Sequence, residues 1–404
     1  MIAKVTMTYT RLHFLNFIRC WIGLSMLGCG LAAMAQSPSS ASSASSAVDT
    51  ERKSDRNVLL VTLDGMRWQD VFRGADRRLV STEAGAKNIR ETQERFVVED
   101  PVAAREKLMP FLWSNVAAEG VLYGDPAQES SVRVTNNRHF SYPGYSELLC
   151  GRADPAIDSN AKEYNENVTV LEWLDSQTDL HGRVAAFCSW DVFPFIINDK
   201  RSGVLVNAGW APVADIIPAG DPADQHAHAE LQRLDALAAE IPHLWSSVRY
   251  DYFTFKAAQV YLQTQRPRVM YVSFGETDDW AHEGRYDLYL ESAQRNDDYI
   301  RQLWETIQTM DGYRDNTTLI ITSDHGRGDD RTSWKSHSTS IPGCDVIWAA
   351  AMGPGIQPGH AGHLQLTQSQ IAATVAAVLG YDFTESNPAV AKPLPCVPGL
   401  AKQE

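Results

Sequence analysis

Seven side chains able to bind metal ions or phosphate are spread along this 404-residue chain: Asp64, Ser141, Asp278, His282, Asp324, His325 and His337. Carboxylates and imidazoles are ligands for divalent cations, and a hydroxyl held beside two such cations can attack a phosphate ester. Apolar runs precede the acids. Asn57 to Leu63 reads NVLLVTL and leads into Asp64-Gly65; Val269 to Phe274 reads VMYVSF and leads into ETDDWAHEG; Thr318 to Thr322 reads TLIIT and leads into Ser323-Asp324-His325-Gly326.

Spacing narrows what each group can do. Asp278 and His282 lie four apart, which puts them on one face of a helix if one starts after VMYVSF. Asp279 takes the place of Asp278 if the backbone turns differently, and a solvated ion pair is the plainer alternative. Adjacent Asp324 and His325 can leave a strand toward one cation while Gly326 lets the backbone turn; a capped turn is the competing reading. Ser141 is followed by Pro143, suited to a first helical turn, and by Gly151, suited to the end of that helix. A serine there has its alkoxide favoured by unpaired N–H groups and the helix dipole, although simple N-capping accounts for it equally. His337, in WKSHSTSIPG, is a candidate for a second metal site, with His360 and His363 as later alternatives.

The elements that must position these groups alternate. The three runs above, with weaker ones at Val184 to Phe187 and Val346 to Met352, read as strands covered on both faces. Between them lie helical stretches such as Asp287 to Met310, whose apolar residues fall near one face. Thr367 with Gln370 predicts a capping box for a helix through Leu379, closed by Gly380. This alternation predicts an α/β fold with a mostly parallel sheet between helices, where ligands bind beyond the carboxyl ends of strands.

Composition sets limits on the whole. An apolar content of 44% and a charged content of 21% are those of a packed chain. Lys4, Arg11 and Arg19 precede the apolar run Trp21 to Ala35, and Ala33-Met34-Ala35 offers small residues for cleavage, so residues 1–35 read as a signal peptide. A signal anchor, or a lipid attached at Cys29 in Met26-Leu27-Gly28-Cys29, is the alternative. Residues 36–56, rich in Ser and Ala, read as a linker, and 57–404 as a single catalytic domain. The expected location is therefore exported, periplasmic or secreted, with no integral membrane domain. A net charge of −14 excludes nucleic-acid binding through the bulk field, so an anionic substrate must be drawn in locally. Of six cysteines, Cys20 and Cys29 fall in the leader, while Cys150, Cys188, Cys344 and Cys396 allow three disulfide pairings that the sequence does not choose between. The absence of any Cys-x-x-Cys argues against a thiolate zinc site.

In order, VTLDG, FSYPGYSELLCG, ETDDWAHEG, TSDHG and a later histidine resemble the alkaline phosphatase superfamily, over nearly all of the chain after the leader. The Ser-x-Pro segment, Asp-x-x-x-His and Asp-His-Gly are most similar to its phosphodiesterase and phosphoglycerate-mutase-like branches. The resemblance implies an alkaline-phosphatase-like three-layer α/β/α sandwich with a mostly parallel central sheet. It assigns Asp64, Ser141, Asp324 and His325 to one metal and Asp278, His282 and His337 to the other, zinc being usual and manganese the alternative. It places Asn160 where an asparagine supports a nonbridging phosphate oxygen, with Asn165 and Asn167 close by. The implied activity is a phosphomonoesterase or phosphodiesterase acting on a small-molecule phosphate ester through a Ser141 phosphoenzyme. A sulfatase-like hydrolase or phosphotransferase, or an inert metal- or ligand-binding protein on the same scaffold, are the alternatives. Sulfatases need Cys/Ser-x-Pro-x-Arg, and Tyr145 stands in the arginine's place. Lys335, near His337, is a candidate for holding a terminal phosphate.

Overall fold

Alternating side chains within single strands show how the fold is layered. In Asn57–Leu63 (β1), Val58 and Leu60 join one hydrophobic core while Leu59, Val61 and Leu63 join another. Such a strand is buried on both faces, which is why its sequence is continuously apolar. The computed structural model describes residues 55–217, 220, 222–359 and 362–398. The leader, most of the linker, Cys20, Cys29 and His360 lie outside these residues.

The remaining strands are Val121–Tyr123 (β2), Ser131–Arg133 (β3), Val184–Cys188 (β4), Leu205–Ala208 (β5), Val269–Phe274 (β6), Thr317–Thr322 (β7), Val346–Ile347 (β8), Ala349–Met352 (β9) and Gln365–Thr367 (β10). Seven of them form one sheet in the order β2-β9-β7-β1-β6-β4-β5. Its central pairings are parallel, and only β9 runs against its neighbours. Helices cover both faces. Asp251–Gln265 and Tyr286–Thr309 pack on the side of Leu59, and Ser141–Cys150, Val170–Asp175 and Gln370–Val378 on the side of Leu60. The three-layer α/β/α sandwich expected from the sequence is the architecture observed.

Two expectations change in detail. Val346 to Met352 is not one strand: the chain changes sheets at Trp348, so β8 joins the small sheet β10-β3-β8 and β9 the large one. The buried Trp348 indole donates to the Met66 carbonyl at 3.2 Å, fixing the crossing point. The last helix starts at Gln370, and only half of the capping box forms: Gln370 Oε1 accepts from the Thr367 N–H at 3.0 Å. Gly380, with φ near +80°, closes that helix as expected. The four described cysteines are buried and form no disulfide, so they act as small core residues.

Because β1, β6 and β7 are parallel neighbours, their carboxyl ends lie side by side. Asp64, the helix Glu276–His282 and Asp324-His325 leave the sheet there together.

Candidate active site

The three strand ends deliver their acids to one place. His325 is wholly buried, and its Nε2 lies 3.3 Å from Asp324 Oδ2, 3.4 Å from Asp64 Oδ1 and 3.7 Å from Asp278 Oδ1. Its other ring nitrogen, Nδ1, is 3.1 Å from the Gly326 carbonyl, which can only accept, so Nδ1 carries the proton and Nε2 presents a lone pair. Ser141 Oγ sits 3.3 Å from that Nε2. The serine is the first residue of the helix Ser141–Cys150, whose amino end abuts β7's exit. Gly144 makes this approach possible: a Cβ there would lie 2.4 Å from the Asp324 carbonyl oxygen.

On the other side, Glu276–His282 starts immediately after β6, so Asp278 and His282 do share a face, with Asp278 Oδ2 3.2 Å from His282 Nε2. Of the two acids, Asp278 is the one within hydrogen-bonding or ion-pair distance of His282, His325 and His337, while Asp279 lies near enough for the charges of Asp278 and Asp64 to act on it. His337 closes the group at 2.9 Å from His282 Nε2 and 3.6 Å from Asp278 Oδ1. Its Nδ1 donates to the His139 carbonyl at 3.1 Å, again leaving Nε2 for a ligand. His139 itself adopts φ near +57°, a strained conformation that aims its carbonyl. His363 lies elsewhere, exposed and paired with Glu129 at 2.7 Å.

All seven residues converge, but the division between two centres is less sharp than the resemblance implies. One ligand group comprises Asp64, Asp324 and His325, the other Asp278, His325 and His337, each with donor atoms within 4.8 Å of one another. His325 thus stands between them, and His282 attaches to the second group through His337 and Asp278.

The electrostatics fit divalent cations. Asp64 Oδ1 and Asp324 Oδ2 are buried with no hydrogen-bond partner, at a cost of about 1–3 kcal/mol each for neutral groups and more if ionised. Burial, and then the charge of Asp278, pushes the Asp64 carboxyl well above its ordinary range; burial, and then Asp64, does the same to Asp324. Burial also pushes Asp278 upward, but Arg327 and His282 outweigh it and hold that group well below the carboxylate range. Burial, then Asp278, raises Asp279 to about 9. Acids crowded so closely need cations or protons among them, and hard oxygen with imidazole donors suits zinc or manganese.

Several contacts carry no local sequence signal. Tyr145, one turn beyond Ser141, donates its hydroxyl to Asp64 Oδ2 at 2.9 Å. The Gly65 N–H donates to Asp324 Oδ1 at 3.0 Å, and Thr277 Oγ1 to the Asp64 carbonyl at 2.6 Å. Asn160 Oδ1 accepts from the Tyr142 N–H at 3.0 Å, placing its carboxamide beside Ser141. That N–H is therefore not open to an alkoxide, contrary to the simplest helix-terminus picture. Asn165 is buried against Ser146 and the Ile196 carbonyl, and the half-buried Asn167 donates to Asp154, so of the three only Asn160 reaches this helix end. The aromatic residues Trp334 and Trp348 are core, whereas Trp280 packs edge-on against Trp245.

The fold is that of the alkaline phosphatase superfamily. The crystal structure of alkaline phosphatase PafA superposes with a TM-score of 0.53 at 11% identity, over 85% of this chain and 99% of that one. A PafA variant gives 0.52 at 11% over the same shares. An alkaline phosphatase superfamily protein from Vibrio parahaemolyticus gives 0.49 at 12%, over 84% of this chain and 69% of its own. Residues 106–337 match the family described as type I phosphodiesterase / nucleotide pyrophosphatase, and the chain belongs to that family of hydrolases. No curated protein matches it in sequence.

The sharpest check on the metal group is His337. If the cluster holds two cations, His337→Ala is expected to lower bound metal from two equivalents toward one, and His363→Ala to leave it unchanged, by elemental analysis of dialysed protein. Unchanged metal in His337→Ala would remove it from the ligand set.

Proposed function

We propose that this chain is an exported, dinuclear-metal-dependent phosphoric ester hydrolase in which Ser141 is the nucleophile. The observation that carries the proposal is the placement of Ser141 Oγ at 3.3 Å from His325 Nε2, itself within 3.4 Å of both Asp64 and Asp324. Asp64, Asp324 and His325, with Ser141, would hold one cation, and Asp278, His282 and His337 the other. Bound zinc or manganese supplies positive charge that favours the serine alkoxide and offsets charge developing on the phosphoryl oxygens.

The remaining work falls to the chain. Ser141 gives its hydroxyl proton to solvent water and its Oγ forms a bond to phosphorus as the bond to the leaving oxygen breaks in line, and that oxygen takes a proton from water. A second water then cleaves the Ser141 phosphoester, restoring the serine and releasing phosphate or a monoester. Asn160 holds its carboxamide beside the serine, where its Nδ2 can donate to a nonbridging oxygen. Gly144 lets the helix approach closely enough for Ser141 to reach the acids. Tyr145 occupies the position of a sulfatase arginine and is engaged by Asp64, which favours phosphate over sulfate esters. Lys335 packs against Gly284, two residues beyond His282, with its Nζ 3.4 Å from where a Cβ would stand. There it can serve a monoester's terminal oxygens. The substrate is a small phosphate ester drawn by the metal cluster, since the acidic body repels polyanions.

A panel of p-nitrophenyl phosphate, bis-p-nitrophenyl phosphate and p-nitrophenyl sulfate tests this reading. One phosphate ester is expected to turn over well above the sulfate. Lys335→Ala should raise KM for the monoester more than for the diester. Preferential sulfate hydrolysis, or no hydrolysis by metal-loaded protein, counts against it.

A further inference from the structure

Arg327 directly follows Asp324-His325-Gly326 and is fully buried. A buried guanidinium is costly unless a nearby charge and well-placed acceptors compensate it. Here two of its three nitrogens, Nε and Nη1, have no hydrogen-bond partner. The third, Nη2, contacts Asp278 twice: it forms a short ion pair with Oδ1 and lies 3.2 Å from the main-chain carbonyl. The field of Asp64 and Asp279 also acts on this guanidinium, but Asp278 is its only direct acid contact among the described residues.

Space for the guanidinium is made by a residue from the opposite end of the sequence. Gly65 holds φ near +57°, and a Cβ there would lie 2.7 Å from Arg327 Nε and 2.8 Å from Asp278 Oδ1. The turn after β1 therefore admits no side chain at the point where Arg327 meets Asp278.

We infer that Arg327 is a positioning residue for the second metal centre: it engages Oδ1 and the main-chain carbonyl of Asp278, and so holds the rotamer that turns Oδ1 toward His325 and His337 and Oδ2 toward His282. This rests on the metallohydrolase reading above. A carboxylate tied to arginine keeps a fixed direction, as metal ligands held by partners behind them generally do. Without Arg327, Asp278 faces Asp64 and Asp279 with only His282 and His337 to oppose them and loses the bonds that set its rotamer. The opposite effect, relief of repulsion between guanidinium and metal, acts on the same site. The double contact to a single ligand decides in favour of positioning.

The test is metal affinity. Wild type, Arg327→Met and Arg327→Lys are stripped, checked for folding by circular dichroism, and titrated with zinc against a competing chelator. The first equivalent is expected to bind Arg327→Met as it does wild type, and the second to bind about 10–100-fold more weakly. Arg327→Lys, which keeps the charge but loses the fork, should fall between them. If Arg327→Met does not fold, the lysine variant carries the comparison by the same criterion. Equal or tighter binding of the second equivalent overturns the role of Arg327 while leaving the metallohydrolase reading intact. Wild-type protein that takes up no second equivalent overturns both.

Discussion

Ser141→Ala is expected to keep full metal content and a wild-type fold while losing turnover by on the order of 10³-fold or more, the scale on which deleting a nucleophile acts. The substitution removes one oxygen from the first residue of a helix whose nine further residues are all buried, so packing barely changes. The hydroxyl makes one described contact, to His325 Nε2 at 3.3 Å, and supports no other element. Loss of activity without loss of metal therefore isolates chemistry from structure. Turnover of a phosphate ester at the wild-type rate would falsify the assignment. Gel detection of radiolabelled phosphoenzyme in wild type, absent from the variant, gives the same answer independently.

Stripping the metals is the second large effect. Activity should fall to background in chelator and return with zinc or manganese. Cation at about a hundredfold its Kd should add about 2.7 kcal/mol per site to the unfolding free energy. The pH dependence has a definite sign. Asp64 and Asp324 are raised in the metal-free fold, so the folded chain holds more protons than the unfolded one, and metal-free stability drops as pH rises from about 4 toward the raised values. Asp278 is depressed and works oppositely: its contribution is present above about 4 and is lost as pH falls through its lowered value. A cation displaces the protons on Asp64 and Asp324, so its affinity should climb with pH, with proton release on binding. Calorimetric titrations at about pH 5.5 and 8, in buffers of different ionisation heat, measure both. Equal affinity at the two values would contradict the protonation states described.

How much of this could be read from sequence follows from how local each signal is. Strand-end acids, Asp278 with His282, and Ser141 between Pro143 and Gly151 are legible because spacing along one element fixes a face. Asp278 is separated from Asp279 only by where the helix begins, at Glu276, and that start is set from far away. The Asp251 carboxylate accepts from the Gly275 and Glu276 N–H groups at 2.8 and 3.1 Å, while Glu276 Oε1 accepts from the Asp251 N–H at 2.9 Å. Each residue caps the other's helix, an arrangement that no short motif encodes. Arg327 is hidden for a similar reason: arginine usually marks a surface, and its burial depends on Gly65, on another strand. The apolar run at Val346 to Met352 misleads because hydrophobicity does not record the sheet to which a strand belongs.

The order of strands across the large sheet has a consequence for how the site comes into being. β1 is the earliest of the central strands to be synthesised, yet its two partners arrive far later, with Asn57 and Thr317 260 positions apart. Closing so long a loop is slow, and nothing short of nearly the full chain supplies both partners. A nascent or clipped chain ending before Asp324 carries Asp64, Ser141, Asp278 and His282 but lacks the imidazole that stands between the two ligand groups. If the proposed cluster holds its cations as inferred above, capture of metal is deferred until the last ligands have been made, and a tightly held ion becomes a certificate that the chain extends through His325 and His337.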